Sequence, residues 1–390
     1  MKKSKRTLTP KLRFPEFRDK GGWEKKQLGD LSEVKASGDI DTTLFSNLRS
    51  TTHLYPVYSN AVENEGLYGY YSVPQYKKNS VTITARGTLG VAFLRDHEFM
   101  GIGRLIVVSD LCGLDACFLK ECWNHLALIP SEVTSIPQLT AVAVRATILP
   151  IPSFAEQQRI ADCLSSLDDL ISAQAKKVEL LKQHKKGLMQ QLFPREGETV
   201  PQLRFPEFRG KGEWEEKALG DICEILNNRR VPISSSLRTP GPYPYYGASG
   251  VVDFVDDYIF DERLVLIGED GAKWKAFEET AFIAEGQYWV NNHAHILKPS
   301  GVIDILLANY LTMIDVGGYV TGNAPPKLTL AKLKTIPVPV SRYMKEQQRI
   351  ADCLSSLDEL ISAQAKKVEL LKQHKKGLMQ QIFPAPEGQE

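Results

Sequence analysis

Residues 156–194, EQQRIADCLSSLDDLISAQAKKVELLKQHKKGLMQQLFP, decide the reading, because the chain carries them twice. Residues 346–384 repeat the string except where Asp169 becomes Glu359 and Leu192 becomes Ile382, so 37 of 39 positions match. With Leu164 at heptad position a, the a and d positions are Leu164, Leu167, Ile171, Gln174, Val178, Leu181, Lys185, Leu188 and Leu192. Seven of these nine are apolar, and their 3.5-residue period predicts a long helix packed on a second one. At ~1.5 Å per residue, the run 156–193 spans about 57 Å. Ser153 and Glu156 have the spacing of a capping box at the helix start. The second copy lacks it, since Ser341 lies five residues before Glu346. Pro194 and Pro384 end the helices.

Charge within the repeat is polarised. Residues 156–169 hold four acids (Glu156, Asp162, Asp168, Asp169) and one base, Arg159. Residues 176–186 hold five bases and one acid, Glu179. Antiparallel packing sets each acidic half against a basic half, which complementarity favours. The same polarity also suits the macrodipole of each helix alone. The first effect predicts an intramolecular antiparallel coiled coil, and both effects can operate together.

A second repeated pair lies upstream. KLRFPEFRDKGGWEKKQLGDLSEV (11–34) matches QLRFPEFRGKGEWEEKALGDICEI (202–225) at 16 of 24 positions. The offsets of the two pairs are 191 and 190 residues, so one unit is duplicated. Neutral drift does not account for tails that stay nearly identical while the halves between them diverge. The chain therefore divides into 1–152, a first β-rich domain; 153–198, a helix and linker; 199–341, a second β-rich domain; and 342–390, a second helix and tail. In the variable halves, Tyr55–Asn60 and Tyr243–Ser249 occupy similar places, Ser80–Gly87 alternates like a strand ending in a loop, and Leu264–Gly268 is an apolar run before a turn. Such runs bounded by Gly, Pro, Asn and Asp read as strands. The Pro-rich segments Ile148–Pro152 and Ile336–Pro339 lead into the helices. The fold expected is α+β, pseudo-twofold, with two β-rich domains joined by two long antiparallel helices.

The composition is that of a globular chain: 390 residues, 43% hydrophobic, 24% charged, with 48 Lys and Arg against 47 Asp and Glu. A uniformly basic nucleic-acid coat is excluded; a local basic surface is not. The basic start, Met1 to Arg6, has no apolar run behind it, and no stretch is long enough to span a membrane. The six cysteines form no C-x-x-C pair, and the spacing of Cys112, Cys117 and Cys122 does not suit zinc. The compartment reads as cytoplasm.

Enzyme motifs are absent. There is no phosphate loop, and Gly101-Ile102-Gly103-Arg104 lacks the third glycine of a dinucleotide fingerprint. Asn323-Ala324-Pro325-Pro326 misses the aromatic residue of an amino-group methyltransferase motif, and Glu269–Lys273 does not keep nuclease spacing. His293 and His295 would share one face of a strand, without an obvious third metal ligand.

The twice-present E-Q-Q-R-I-A … K-K-G-L-M-Q-Q-[LI]-F tail resembles the conserved region of type I restriction–modification specificity subunits. So do R-F-P-E-F at 13–17 and 204–208, Lys327-Leu328-Thr329 followed by I-P-V-P, and Asn291–His295. The first domain departs from the pattern, with Pro137-Gln138-Leu139-Thr140 where the second has Pro326-Lys327-Leu328-Thr329. The resemblance implies two target-recognition domains, each reading half of a split sequence on double-stranded DNA, held apart by the paired helices. It also implies two modification subunits that supply S-adenosylmethionine and methyl transfer to adenine. Restriction subunits would add ATP- and Mg-dependent translocation and cleavage, this chain having no active site or cofactor of its own. A different class of function, a scaffold that clamps other proteins with its helices, stands beside that reading.

Base readout calls for Arg, Lys, Asn, Gln or Ser on loops, and phosphate contact for Arg, Lys and backbone N–H groups. The candidates in the first domain are Ser59, Asn60, Arg86, Thr88 and Arg104. Those in the second are Asn227, Asn228, Arg229, Arg230, Ser249, Lys273, Lys275, Asn292 and His293. The run Asn227–Arg230 is the densest polar, basic cluster there, and it reads equally as a solvated loop. Trp274, between Lys273 and Lys275, is expected to fill core.

Overall fold

A computed structural model describes residues 8–126, 138–322 and 325–384. The N-terminal basic run, Pro137, and Asn323-Ala324 lie outside them. In chain order the first half forms β1 (Glu24–Gln27), β2 (Glu33–Ala36), β3 (Phe45–Ser46), β4 (Tyr55–Tyr58), β5 (Leu67–Tyr71), β6 (Ser80–Ile83), β7 (Ala92–Arg95), β8 (Met100–Gly101), β9 (Ile106–Ser109), α1 (Ala116–Leu126), α2 (Ala141–Ala146), β10 (Ile148–Ile151) and α3 (Phe154–Leu192). The second half forms β11 (Glu215–Ala218), α4 (Leu219–Ile222), β12 (Cys223–Ile225), β13 (Tyr243–Gly247), β14 (Gly250–Val255), β15 (Phe260–Asp261), β16 (Leu264–Gly268), β17 (Ala281–Ala284), β18 (Gln287–Val290), β19 (Ala294–Pro299), α5 (Asp304–Met313), α6 (Leu330–Lys334), β20 (Pro337–Val340) and α7 (Met344–Ile382). Two compact units result: residues 1–174 with 367–390, and residues 175–366. Each unit thus holds the first half of one long helix and the second half of the other.

The two units share one four-stranded sheet, the two-stranded ribbon and three strands of a second sheet, β5-β4-β8 corresponding to β14-β13-β18; the fourth strand differs, β3 lying beside β5 in unit 1 and β15 beside β18 in unit 2. In unit 1 the sheets run β2-β9-β6-β7 and β3-β5-β4-β8, with a ribbon β1-β10. In unit 2 they run β12-β19-β16-β17 and β14-β13-β18-β15, with a ribbon β11-β20. The prolines of β10 and β20 are tolerated because a two-stranded ribbon is all edge. The stretch Ser80–Gly87 is a strand over Ser80–Ile83 that runs into a loop, as expected, but the strand is buried along its whole length. Its sheet is covered on both faces: Ile106 and Val108 of β9 join the core under α1, whereas Leu105 and Val107 pack with Tyr58 and Phe99. The apolar run of β16 has the same cause, with Val265 and Ile267 in one core and Leu264 and Leu266 in another. Trp274 packs against the first of these cores.

All nine a and d positions of α3 are buried or half-buried. In unit 1, Ile160 and Leu164 of α3 share a core with Ile382 and Phe383, while Asp168 meets Lys375 at 2.7 Å. Moving forward along α3 is moving backward along α7, so the helices are antiparallel. Unit 2 repeats this with Ile350 and Leu354 beside Met189 and Leu192, and Asp358 at 2.7 Å from Lys185. Acid–base complementarity therefore does act between the helices.

The expected capping box forms only in part. The Glu156 N–H reaches Ser153 Oγ at 3.4 Å, but the Glu156 carboxylate turns away to the buried Arg13, which donates from Nε at 2.6 Å and Nη2 at 2.7 Å. In the second copy Arg204 holds Glu346 at 2.6 and 2.9 Å, and Ser341, five residues away, donates to the same carboxylate at 2.6 Å. Gln157 then takes the Asp115 N–H and donates to Gly113 and Pro152, and Gln347 does likewise with Ile303, Gly301 and Ser341. The repeated R-F-P-E-F and E-Q-Q-R strings are thus the two halves of one joint between domain and helix. Among the described residues no helix is long and apolar enough to cross a membrane.

Candidate nucleic-acid interface

In unit 1 one side chain ties three loop ends together. β4 and β8 pair in parallel, Val57 opposite Met100, so their C-terminal ends emerge side by side. Asn60, just past β4, donates from Nδ2 to the Gly103 carbonyl at 2.7 Å, and its Oδ1 accepts the Ala85 N–H at 2.7 Å. Ser59, Asn60, Arg86, Thr88 and Arg104 therefore lie on one loop cluster. Their roles in it differ. Ser59 closes a turn onto the Gly66 carbonyl through its N–H at 2.8 Å, and the Thr88 carbonyl is held by Thr84 Oγ1. Asn60 is fully used by backbone. Arg86 and Arg104 are exposed, with no hydrogen bond or ion pair among the described residues. Arg104 sits at φ +66°, a left-handed conformation that costs a residue with a Cβ roughly 1–2 kcal/mol.

Unit 2 builds the corresponding cluster. β13 and β18 are the parallel pair, Tyr245 opposite Trp289, and the Asn291 N–H bonds the Tyr246 carbonyl at 3.0 Å. The loop after β16 packs into the same place, where Glu269 N–H donates to the His293 carbonyl at 2.8 Å. Gly268 is needed there: a Cβ would lie 2.3 Å from Ala272 Cβ and 2.8 Å from the Ala248 carbonyl. Ser249, Asn292, Lys273 and Lys275 are exposed on these loops, and their side chains have no partner among the described residues.

The run 227–230 resolves into two kinds of residue. Asn227 is a clamp: its Nδ2 lies 2.8 Å from His295 Nδ1, and its Oδ1 accepts the Ile296 N–H. Arg230 is half-buried, pairs with Glu269 at 2.6 Å and donates to the Asn292 and Ala294 carbonyls. Arg229 pairs with Glu262 at 2.6 Å and lies 4.3 Å over the Phe260 ring. Asn228 is exposed and unpartnered among the described residues.

His293 and His295 do not share a face. His295 is 1% exposed inside β19, with Nε2 at 2.6 Å from the Leu328 carbonyl, whereas His293 precedes the strand and pairs with Asp270. The alternation argument failed because the strand begins only at Ala294. Burial lowers the His295 pKa and keeps the ring neutral. Burial works against the Asp270 carboxylate, but bonds from Lys327 and His293 outweigh it and hold its pKa low. Among the described residues no cluster of three or more His, Cys, Asp or Glu is placed to hold a metal ion.

Within the segment in which the first domain departs from the second, Leu139 and Thr140 take the places of Leu328 and Thr329. Leu139 N–H bonds the Ala85 carbonyl at 3.1 Å, as Leu328 N–H bonds that of Glu269 at 2.8 Å. Thr140 and Thr329 then cap α2 and α6. Sequence reasoning missed Arg95, which is 1% exposed, 3.5 Å from the Tyr58 ring centroid and bonded to Thr82 and the Glu65 carbonyl. An arginine inside a strand gives no sign in one sequence of whether it is buried.

A family model described as type I restriction modification DNA specificity domain matches residues 20–183 and again 211–373. A type I restriction enzyme specificity subunit of Haemophilus influenzae is 37% identical over 150 residues, 37% of this chain and only 38% of the relative's own length. The crystal structure of a type I restriction-modification system S subunit from M. genitalium superposes with a TM-score of 0.66 at 18% identity, covering 97% of this chain and 100% of that one. A chain from a structure of the assembling type I R-M system gives 0.54 at 16% identity, over 93% of this chain and 98% of that one. The two superpositions show likeness of fold. With the family's domain model matched across both repeats, the chain belongs to the type I restriction–modification DNA specificity family and carries its recognition domain twice.

Proposed function

We propose that the chain reads a bipartite, asymmetric sequence on double-stranded DNA, each loop cluster contacting one half. The paired helices act as the spacer. Modification subunits bind the chain and supply S-adenosylmethionine and adenine methylation; restriction subunits add ATP- and Mg-dependent cleavage. This chain contributes sequence choice and no catalysis.

The observation that carries the reading is the pairing of one repeated scaffold with two different sets of loop side chains. Unit 1 offers the guanidiniums of Arg86 and Arg104, unpartnered among the described residues, whereas unit 2 offers Ser249, Lys273, Lys275 and Asn292. These are donor types that reach base edges and phosphates. A helix pair whose sequence is nearly constant suits a fixed frame. Relatives described as specificity subunits of restriction enzymes, and the S-subunit fold, point the same way.

The test is duplex binding by the chain co-purified with its modification subunit. The reading expects a shift selective for one split sequence, its affinity falling steeply with salt. Binding that ignores sequence, or no binding to any duplex in a randomised pool, refutes it in favour of a protein scaffold.

A further inference from the structure

A cavity of about 650 Å³ in unit 2 takes no part in the loop cluster. It lies where the residues after α3 meet β11, β20 and the end of α5. Four carboxylates line it, Glu196, Glu198, Glu216 and Asp315, against the single guanidinium of Arg195. Asp315 accepts the Gly317 N–H at 2.8 Å, and none of the four has a cationic partner among the described residues.

Tyr310 of α5 also lines the cavity. It is only 9% exposed, its ring centroid lies 5.5 Å from that of Phe193, and its hydroxyl has no hydrogen bond among the described residues. The ring is buried, but the hydroxyl oxygen is open to the cavity rather than sealed from water, so a ligand N–H can take the place of water there. Burial, reinforced by the charges of Glu216 and Glu196, raises the Tyr310 pKa, so the group stays a neutral O–H with lone pairs open to an N–H donor. The rings of Phe277 and Tyr319 complete the wall. The Phe277 face already attracts an ammonium, with Lys186 Nζ 4.4 Å from its centroid.

Carboxylates, ring faces and a phenol oxygen with no protein partner among the described residues together suit a cation that carries N–H donors on a carbon frame. They suit a bare divalent metal less well, since such ions take oxygen ligands throughout. The cavity's charge is particular to this copy: Lys25 stands in the first repeat where Glu216 stands in the second. We propose that this cavity of unit 2 binds an alkylammonium or guanidinium group, with Glu216 and Tyr310 as its principal contacts. The group belongs either to a free polyamine or to a lysine or arginine of a partner chain.

Calorimetric titration of the full chain with spermidine, and separately with Nα-acetyl-lysine methylamide, tests this and is independent of DNA reading. The expected result is saturable one-site binding of at least one probe. Glu216→Gln or Glu196→Gln should weaken it about tenfold, as for loss of one charge-assisted bond. Tyr310→Phe should weaken it about threefold. Glu216 and Glu196 are exposed, so both glutamine variants should keep the parent's melting profile. Binding of spermidine alone identifies a free polyamine; comparable binding of the lysine analogue identifies a partner's side chain. No saturable binding of either probe, or binding unchanged in all three variants, overturns the proposal.

Discussion

Asn60 and Arg86 lie on one loop cluster and do opposite work. Asn60 spends both ends of its amide on the Gly103 and Ala85 backbone. Arg86 spends nothing on the fold among the described residues. Asn60→Ala leaves a donor and an acceptor of that junction unpaired and should cost about 1–3 kcal/mol of stability, read by chemical denaturation of the complex. Arg86→Ala should leave the denaturation midpoint unchanged and relax one position of the first half-site, at about 1–3 kcal/mol if the contact is bidentate to a base. A uniform loss over all sequences would mean that it touches phosphate. Composition named both residues as candidates and could not separate them. The deciding partners of Asn60 lie 25 and 43 residues away in sequence. Arg230 and His295 show the same limit, since their bonds to Glu269 and Leu328 are long-range.

At the scale of elements, the helices were legible because a 3.5-residue period survives any tertiary context in which one face is buried. The C-terminal ends of both helices follow from Pro194 and Pro384, which come two residues after Leu192 and Ile382. The joint at their start was not legible. Its signal was present, two constant strings in each copy, but only the fold shows that Arg13 meets Glu156 and Arg204 meets Glu346. Removing one partner of such a buried pair strands a charge, so Arg13→Ala should destabilise unit 1 by roughly 3–5 kcal/mol. Replacing both members with apolar residues of similar volume should cost far less. Denaturation of the single and double variants checks this. The helix pair carries a second prediction. Four residues inserted beside Gln174 add about 6 Å and nearly one turn, which keeps the apolar seam in register. The complex should stay active, with the gap between half-sites longer by about one or two base pairs, the rise of B-DNA being ~3.4 Å. A two-residue insertion rotates the seam to the wrong face and should abolish assembly. Methylation mapping reads both outcomes.

For the whole molecule, the central claim is modularity: one scaffold used twice, with the choice of sequence confined to the loops of each unit. The duplication in the sequence and the strand order that the two units share in one sheet, the ribbon and three strands of the other sheet support it. The most direct measurement replaces residues 202–340 with the corresponding segment of another family member. The methylated sites are then mapped in DNA from cells expressing the assembled complex. The account predicts that one half of the recognition sequence changes while the other half and the gap between them stay as they were. A change in both halves together, or in neither, would contradict it.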